Sequence, residues 1–69
     1  MQTYLVTALH SSPDYCFTAT PVSVHRDYFG PYFADHEKLG CGKNYPTPSD
    51  AIHGLFSDHG CRVITMTEA

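Results

Sequence analysis

Eight side chains in this 69-residue sequence could ligate a metal: Cys16, Cys41, Cys61, His10, His25, His36, His53 and His59. A structural zinc site in a small domain normally draws on two close-spaced ligand pairs, because two short chelating loops fix tetrahedral geometry cheaply. Here His59-Gly60-Cys61 is the best local pair, and no second pair stands at such a spacing. The competing reading places Cys16 and Cys61 in or near the core as small strand residues, the usual place for a free cysteine. The sequence therefore predicts no metal site and no cofactor, with a metal-binding domain kept as the alternative.

Nucleophilic chemistry has one candidate. Cys41 lies between two glycines, where a thiolate could be approached, and His and Asp are plentiful enough to serve as base and orienter. Their spacing matches no catalytic pattern, and the glycines also suit a turn: Gly40 to end a helix and Gly42 to bend the loop. Gly40-x-Gly42-Lys43 ahead of a helix lacks the spacing of a phosphate loop, and Pro46 and Pro48 interrupt the approach. No enzymatic activity is expected. The aromatic pairs Tyr28-Phe29 and Tyr32-Phe33 could stack on bases, but few Lys or Arg surround them, so they read as core or interface residues. Tyr28, Tyr32 and Tyr45 fall in segments expected to be irregular, where tyrosine serves as an interface anchor or closes the second face of a sheet.

These residues must be positioned by a few short elements, and the clearest run is Thr47 to Thr67. Thr47 is placed as N-cap, Pro48 as the first helical residue and Asp50 as the acid of a capping-box variant, so a helix over 47–59 is predicted. Ile52, Leu55 and Phe56 give it an apolar stripe beside Ala51, with Asp50, His53 and Ser57 on the wet face. Gly60 is predicted to be left-handed, and Cys61 to Thr67 to form a strand beneath the helix. Upstream, YLVTAL and YCFTATPVSV read as an antiparallel hairpin around His10-Ser11-Ser12-Pro13-Asp14, with Pro21 confined to an edge or bulge and the far end frayed. Gly30-Pro31 can open a short helix over 31–39, since Tyr32, Phe33, His36 and Leu39 recur at helical spacing; a strand around Tyr28 to Phe33 competes with it. The expected architecture is a single α+β domain over 1–69: a three-stranded antiparallel sheet, one main helix (47–59) packed on it, and a short second helix (31–39). Aromatics of the middle segment are expected to cover part of the other face.

Composition narrows the function classes. Hydrophobic residues make up 42% and aromatics 13%, which argues for a packed chain. Seven acids against four bases give a formal charge of −3, and the acids are scattered. No basic stripe exists for DNA or RNA, so direct nucleic-acid binding is not expected. Nothing approaches the roughly 20 apolar residues of a membrane span, and no signal-peptide pattern opens the chain. The odd number of cysteines suits reduced thiols. A cytoplasmic, monomeric protein without a membrane partner is expected.

Two resemblances follow from these residues. Leu39-Gly40-Cys41-Gly42 leading to Thr47-Pro48-Ser49-Asp50-Ala51-Ile52, behind a hairpin, is similar to HicB-like antitoxin domains, where a glycine-cysteine loop precedes a helix opening T-P-x-E-A; Asp50 stands here for the usual Glu. That resemblance covers about a third of the chain and implies a regulatory domain with a toxin partner. As a type, a single acidic α+β domain of this size resembles the small phage-encoded inhibitors of bacterial defence, above all the anti-CRISPR proteins. This resemblance implies a stoichiometric blocker that occupies a CRISPR effector subunit in the host cytoplasm and prevents target DNA binding. Its carboxylates would lie where DNA phosphates otherwise do: Asp50 and Asp58 on the helix with His53 between them, Asp35 and Glu37 in the middle segment, and Tyr32 as an apolar anchor. The leading expectation is this non-enzymatic protein-binding inhibitor; the alternative is a metal-binding or HicB-like regulatory domain.

Overall fold

The computed structural model describes residues 2–69. Alternation along Gln2–Leu9 (β1) sends Val6 and Ala8 inward and leaves Leu5 and Leu9 outside; along Phe17–Arg26 (β2), Val22 and Val24 go inward. The two strands pair antiparallel, with Tyr4 opposite Val22 and Gln2 opposite Val24. The predicted hairpin is therefore present, but it runs through Pro21 and is not frayed. Proline is tolerated because the next strand reaches β2 only at Ser23, so beside Pro21 that flank has no ladder to interrupt. A bulge lies between Val6, opposite Thr20, and Ala8, opposite Phe17. In it Ala19 takes φ 48°, a left-handed conformation disfavoured for a residue with a Cβ, while its N–H donates to Thr7 Oγ1 at 3.1 Å.

The segment 31–39 is not a helix. Tyr32–His36 forms β3, antiparallel to Ser23–Arg26 of β2, and Gly40–Cys41 forms a two-residue β4 beyond it. The helical spacing of Tyr32, Phe33, His36 and Leu39 is real. It loses because the exposed flank of β2 offers unsatisfied backbone groups and aromatic residues fit a pleated surface. The turn from β3 to β4 is organised by the His36 ring: Nδ1 accepts the N–H groups of Lys38 (3.0 Å) and Leu39 (3.2 Å), leaving the ring proton on Nε2 to meet Thr20 Oγ1 at 2.8 Å. Gly40, with φ 79°, closes this turn rather than a helix.

Pro48–Asp58 is α1, as the sequence predicts within a residue at each end. Thr47 Oγ1 accepts the N–H of Asp50 at 3.1 Å. At the far end Gly60 is left-handed (φ 74°), its N–H bonds Ser57 O, and the Cys61 N–H bonds Phe56 O at 2.8 Å, the paired arrangement of a Schellman cap. Ala51, Ile52, Leu55 and Phe56 are buried against the sheet, with Phe56 edge-on to Phe17 and His36. The chain then enters Arg62–Glu68 (β5), which pairs with the outer flank of β1. Ile64 is the extra residue of a bulge there and is turned to solvent.

The sheet thus has five strands, in the order β4-β3-β2-β1-β5, all antiparallel, where three were expected. The two additional strands are β3, built from the segment read as a helix, and β4, built from the start of the glycine loop that follows it. Among the described residues α1 is the only helical layer, and it covers one face. The middle aromatics divide: Tyr32 joins the helix side, while Phe33 lies on the open face, stacked on His25 with ring centroids 5.0 Å apart. An antiparallel sheet can leave one face to water in this way.

Candidate interaction surface

The connection from β2 to β3 is a tight turn whose tip carries two large aromatic side chains. Tyr28 is 91% and Phe29 87% exposed, the most exposed large hydrophobic residues described. Their rings meet edge to face, centroids 5.1 Å apart at 82°. The turn beneath them is tightly fixed. Gly30 N–H bonds Asp27 O at 3.0 Å, Asp27 N–H bonds Pro31 O at 2.7 Å, and Gly30 supplies the positive φ of 104°. Both oxygens of the Asp27 carboxylate are engaged: Oδ1 accepts from Tyr28 N–H within the loop at 2.7 Å and Oδ2 from Asn44 Nδ2 at 2.8 Å. Asn44 belongs to the segment leading into α1, so the tip is tied to a second part of the chain. That segment is itself held by Tyr45, whose backbone exchanges two 2.7 Å hydrogen bonds with Tyr32. The Arg26 side chain folds along the base of the turn, with Nη2 3.8 Å from where a Cβ on Gly30 would stand.

The residues singled out from sequence fall in three places. Asp50, His53 and Asp58 are exposed on α1, on the side away from its buried stripe. Asp35 lies on the open face of the sheet, opposite Ser23 and Cys41, and Glu37 is exposed in the β3–β4 turn. Tyr32 is only partly exposed and packs against the core. The structure thus leaves the helix residues exposed along α1 and puts Asp35 and Tyr32 on opposite faces of β3. The sequence reads Tyr28 and Phe29 as core or interface aromatics, outside the partner-binding set, although one signal marks them as a tip. Asp27-Tyr28-Phe29-Gly30 has Asp at the first and Gly at the fourth position of a β-turn, which puts the two residues between them at the apex.

The chemistry-bearing residues do not converge. Among the described residues no three His, Cys, Asp or Glu side chains form a metal-holding group, and no pocket is enclosed. Partial desolvation and the neighbouring Asp35 carboxylate push the Cys41 thiol up. Burial, with Cys16 close by, pushes the Cys61 thiol up. Both shifts favour the protonated thiol, the opposite of what a nucleophile or metal ligand needs. The Cys61 thiol faces the Tyr15 carbonyl at 3.5 Å. No helix among the described residues is long and apolar enough to cross a membrane. Comparison with family models, with curated proteins and with solved structures returned no match.

Proposed function

We propose that this chain is a non-enzymatic protein-binding module that acts by occupying a surface of its partner. The observation that carries this reading is the Tyr28–Phe29 pair, held almost wholly in solvent on a turn fixed from both sides. Adjacent exposed aromatics are costly to hydrate and are the residue types that anchor interfaces.

The specific form of the proposal is a small phage-type inhibitor, resembling anti-CRISPR proteins, that binds a subunit of a bacterial CRISPR effector in the host cytoplasm and blocks target DNA binding. The exposure of Asp50, His53 and Asp58 along one side of α1 supports it, because carboxylates presented there can occupy sites that otherwise hold phosphates. Titration of a purified type I effector, with target DNA as competitor, tests it. Saturable binding that displaces DNA, weakened by Tyr28→Ser/Phe29→Ser or by Asp50→Lys/Asp58→Lys, is the expected result. Absence of effector binding refutes the inhibitor form, and recovery of a toxin partner instead would favour the HicB-like alternative.

A further inference from the structure

Resting on the protein-binding reading, we propose that the Tyr28–Phe29 tip seats in an apolar pocket of a folded partner protein whose rim carries carboxylates. The shape of the tip favours insertion. Two aromatic rings project from a turn closed by four hydrogen bonds around Asp27, so little freedom is lost when the rings are buried, which is the condition under which an anchor contributes most.

The charge around the tip fixes the character of the rim. The Arg26 guanidinium runs beside Gly30, and Lys43 is exposed next to Asn44, the residue clamped to Asp27. The only acid in this cluster is Asp27, whose carboxylate oxygens are engaged by Tyr28 N–H and by Asn44 Nδ2. In the rest of the chain six acids face only Lys38 and Arg62, and Lys38 is drawn to the opposite end of β3, where its Nζ donates to Asp14 O at 2.7 Å. Locally, then, Arg26 and Lys43 against Asp27 leave the aromatic tip with a formal charge of +1 in a chain that is acidic as a whole. A locally cationic tip is steered toward an acidic rim.

The same features disfavour polyanions. Consecutive bases need parallel platforms, whereas these rings stand at 82° and each covers part of the other. An extended phosphate backbone or an anionic bilayer would also lie against the rest of the chain, where six acids against two bases leave a formal charge of −4.

The test places p-benzoylphenylalanine at position 29 of the intact chain and irradiates it in bacterial lysate containing assembled type I CRISPR effectors. The cross-linked protein is then produced alone and titrated at low and high salt against the natural sequence, Tyr28→Ser, Phe29→Ser and Arg26→Glu/Lys43→Glu, each checked for fold by circular dichroism. Tyr28→Ser and Phe29→Ser should each weaken binding by at least ~30-fold. The charge reversal should weaken it by about 10-fold at low salt and much less at high salt. If the tip variants lose binding but the charge reversal leaves affinity unchanged or tightens it, the acidic rim is refuted while the protein-binding reading stands. If both tip variants bind as before, the tip is not the anchor and the proposal is refuted while protein binding stands; if only lipid or nucleic acid is cross-linked, the protein-binding reading fails as well.

Discussion

Replacing Gly54 by alanine should destabilise this domain, although the same change in a helix interior ordinarily stabilises. Gly54 lies in the body of α1, where removing the glycine's backbone entropy is worth about 1 kcal/mol. A Cβ there would overlap Cζ and Oη of the Tyr45 ring, which lies flush on the helix at that point. The ring cannot step aside easily, because its backbone is tied to Tyr32 by two hydrogen bonds of 2.7 Å and its body packs against the core. Overpacking of this kind costs about 1–3 kcal/mol. Set against the helix gain, the net change is a loss of roughly 0–2 kcal/mol, or up to ~15 °C in Tm for a domain of this size. Thermal and urea unfolding followed by circular dichroism measure it. The decisive comparison is a double-mutant cycle: with Tyr45→Ala in place, Gly54→Ala should become stabilising by about 1 kcal/mol, giving a coupling of roughly 1–3 kcal/mol. If Gly54→Ala stabilises to the same degree in both backgrounds, Tyr45 does not pack where the structure puts it.

Three further changes have defined outcomes. Burial lowers the His36 pKa from 6.5, against the opposing pull of Glu37 and Asp35 and with a smaller push from Lys38. Two backbone donors aimed at Nδ1 likewise require the neutral ring. The unfolded chain therefore takes up the proton first, and stability is full above pH 6.5 and falls as the pH drops below it, by at most ~1.4 kcal/mol per unit. Urea midpoints at pH 7.5 and 5.5 should show the fall, and His36→Asn should flatten it; an unchanged slope in that variant would discount His36 as the cause. Leu55→Ala removes a side chain that is 1% exposed and should cost about 2–5 kcal/mol in chemical denaturation, enough to endanger folding in so small a domain. A negligible loss would overturn the orientation of α1. Ala19→Gly relieves a left-handed alanine in the β1–β2 bulge and should raise stability by up to ~1 kcal/mol by thermal melting, whereas a lower Tm would show that the bulge is not strained.

Most of α1 and its ends could be read in advance because their causes are local. The Thr47 cap, Pro48 at the first turn, the buried stripe through Ile52, Leu55 and Phe56, and the left-handed Gly60 each depend on neighbours within four residues. The β1–β2 hairpin and β5 were legible from alternation and β-branched content for the same reason. The segment 31–39 was not. Its spacing satisfied a helix, and the deciding hydrogen bonds came from Ser23 to Arg26, which no local pattern contains. The helix acids Asp50 and Asp58 were rightly expected at the surface, since a helix period predicts which side is wet. Tyr32 and the Tyr28–Phe29 pair were harder to sort, because adjacent aromatics have equal reason to enter a core or to avoid one.

By itself the sequence determined the capped helix, the hairpin, the β5 strand and the mildly acidic surface, all properties set by short-range stereochemistry or by composition. Tertiary structure alone decided that the sheet has five strands, that Pro21 sits beside an open flank, and that Tyr45 takes the space a Cβ on Gly54 would need. It also decided that Tyr32 turns inward while Tyr28 and Phe29 stand in solvent. The physical reason is the same in each case: which backbone edge is free and which volume is filled are facts about residues distant in sequence, and they are settled only when the chain has folded back on itself.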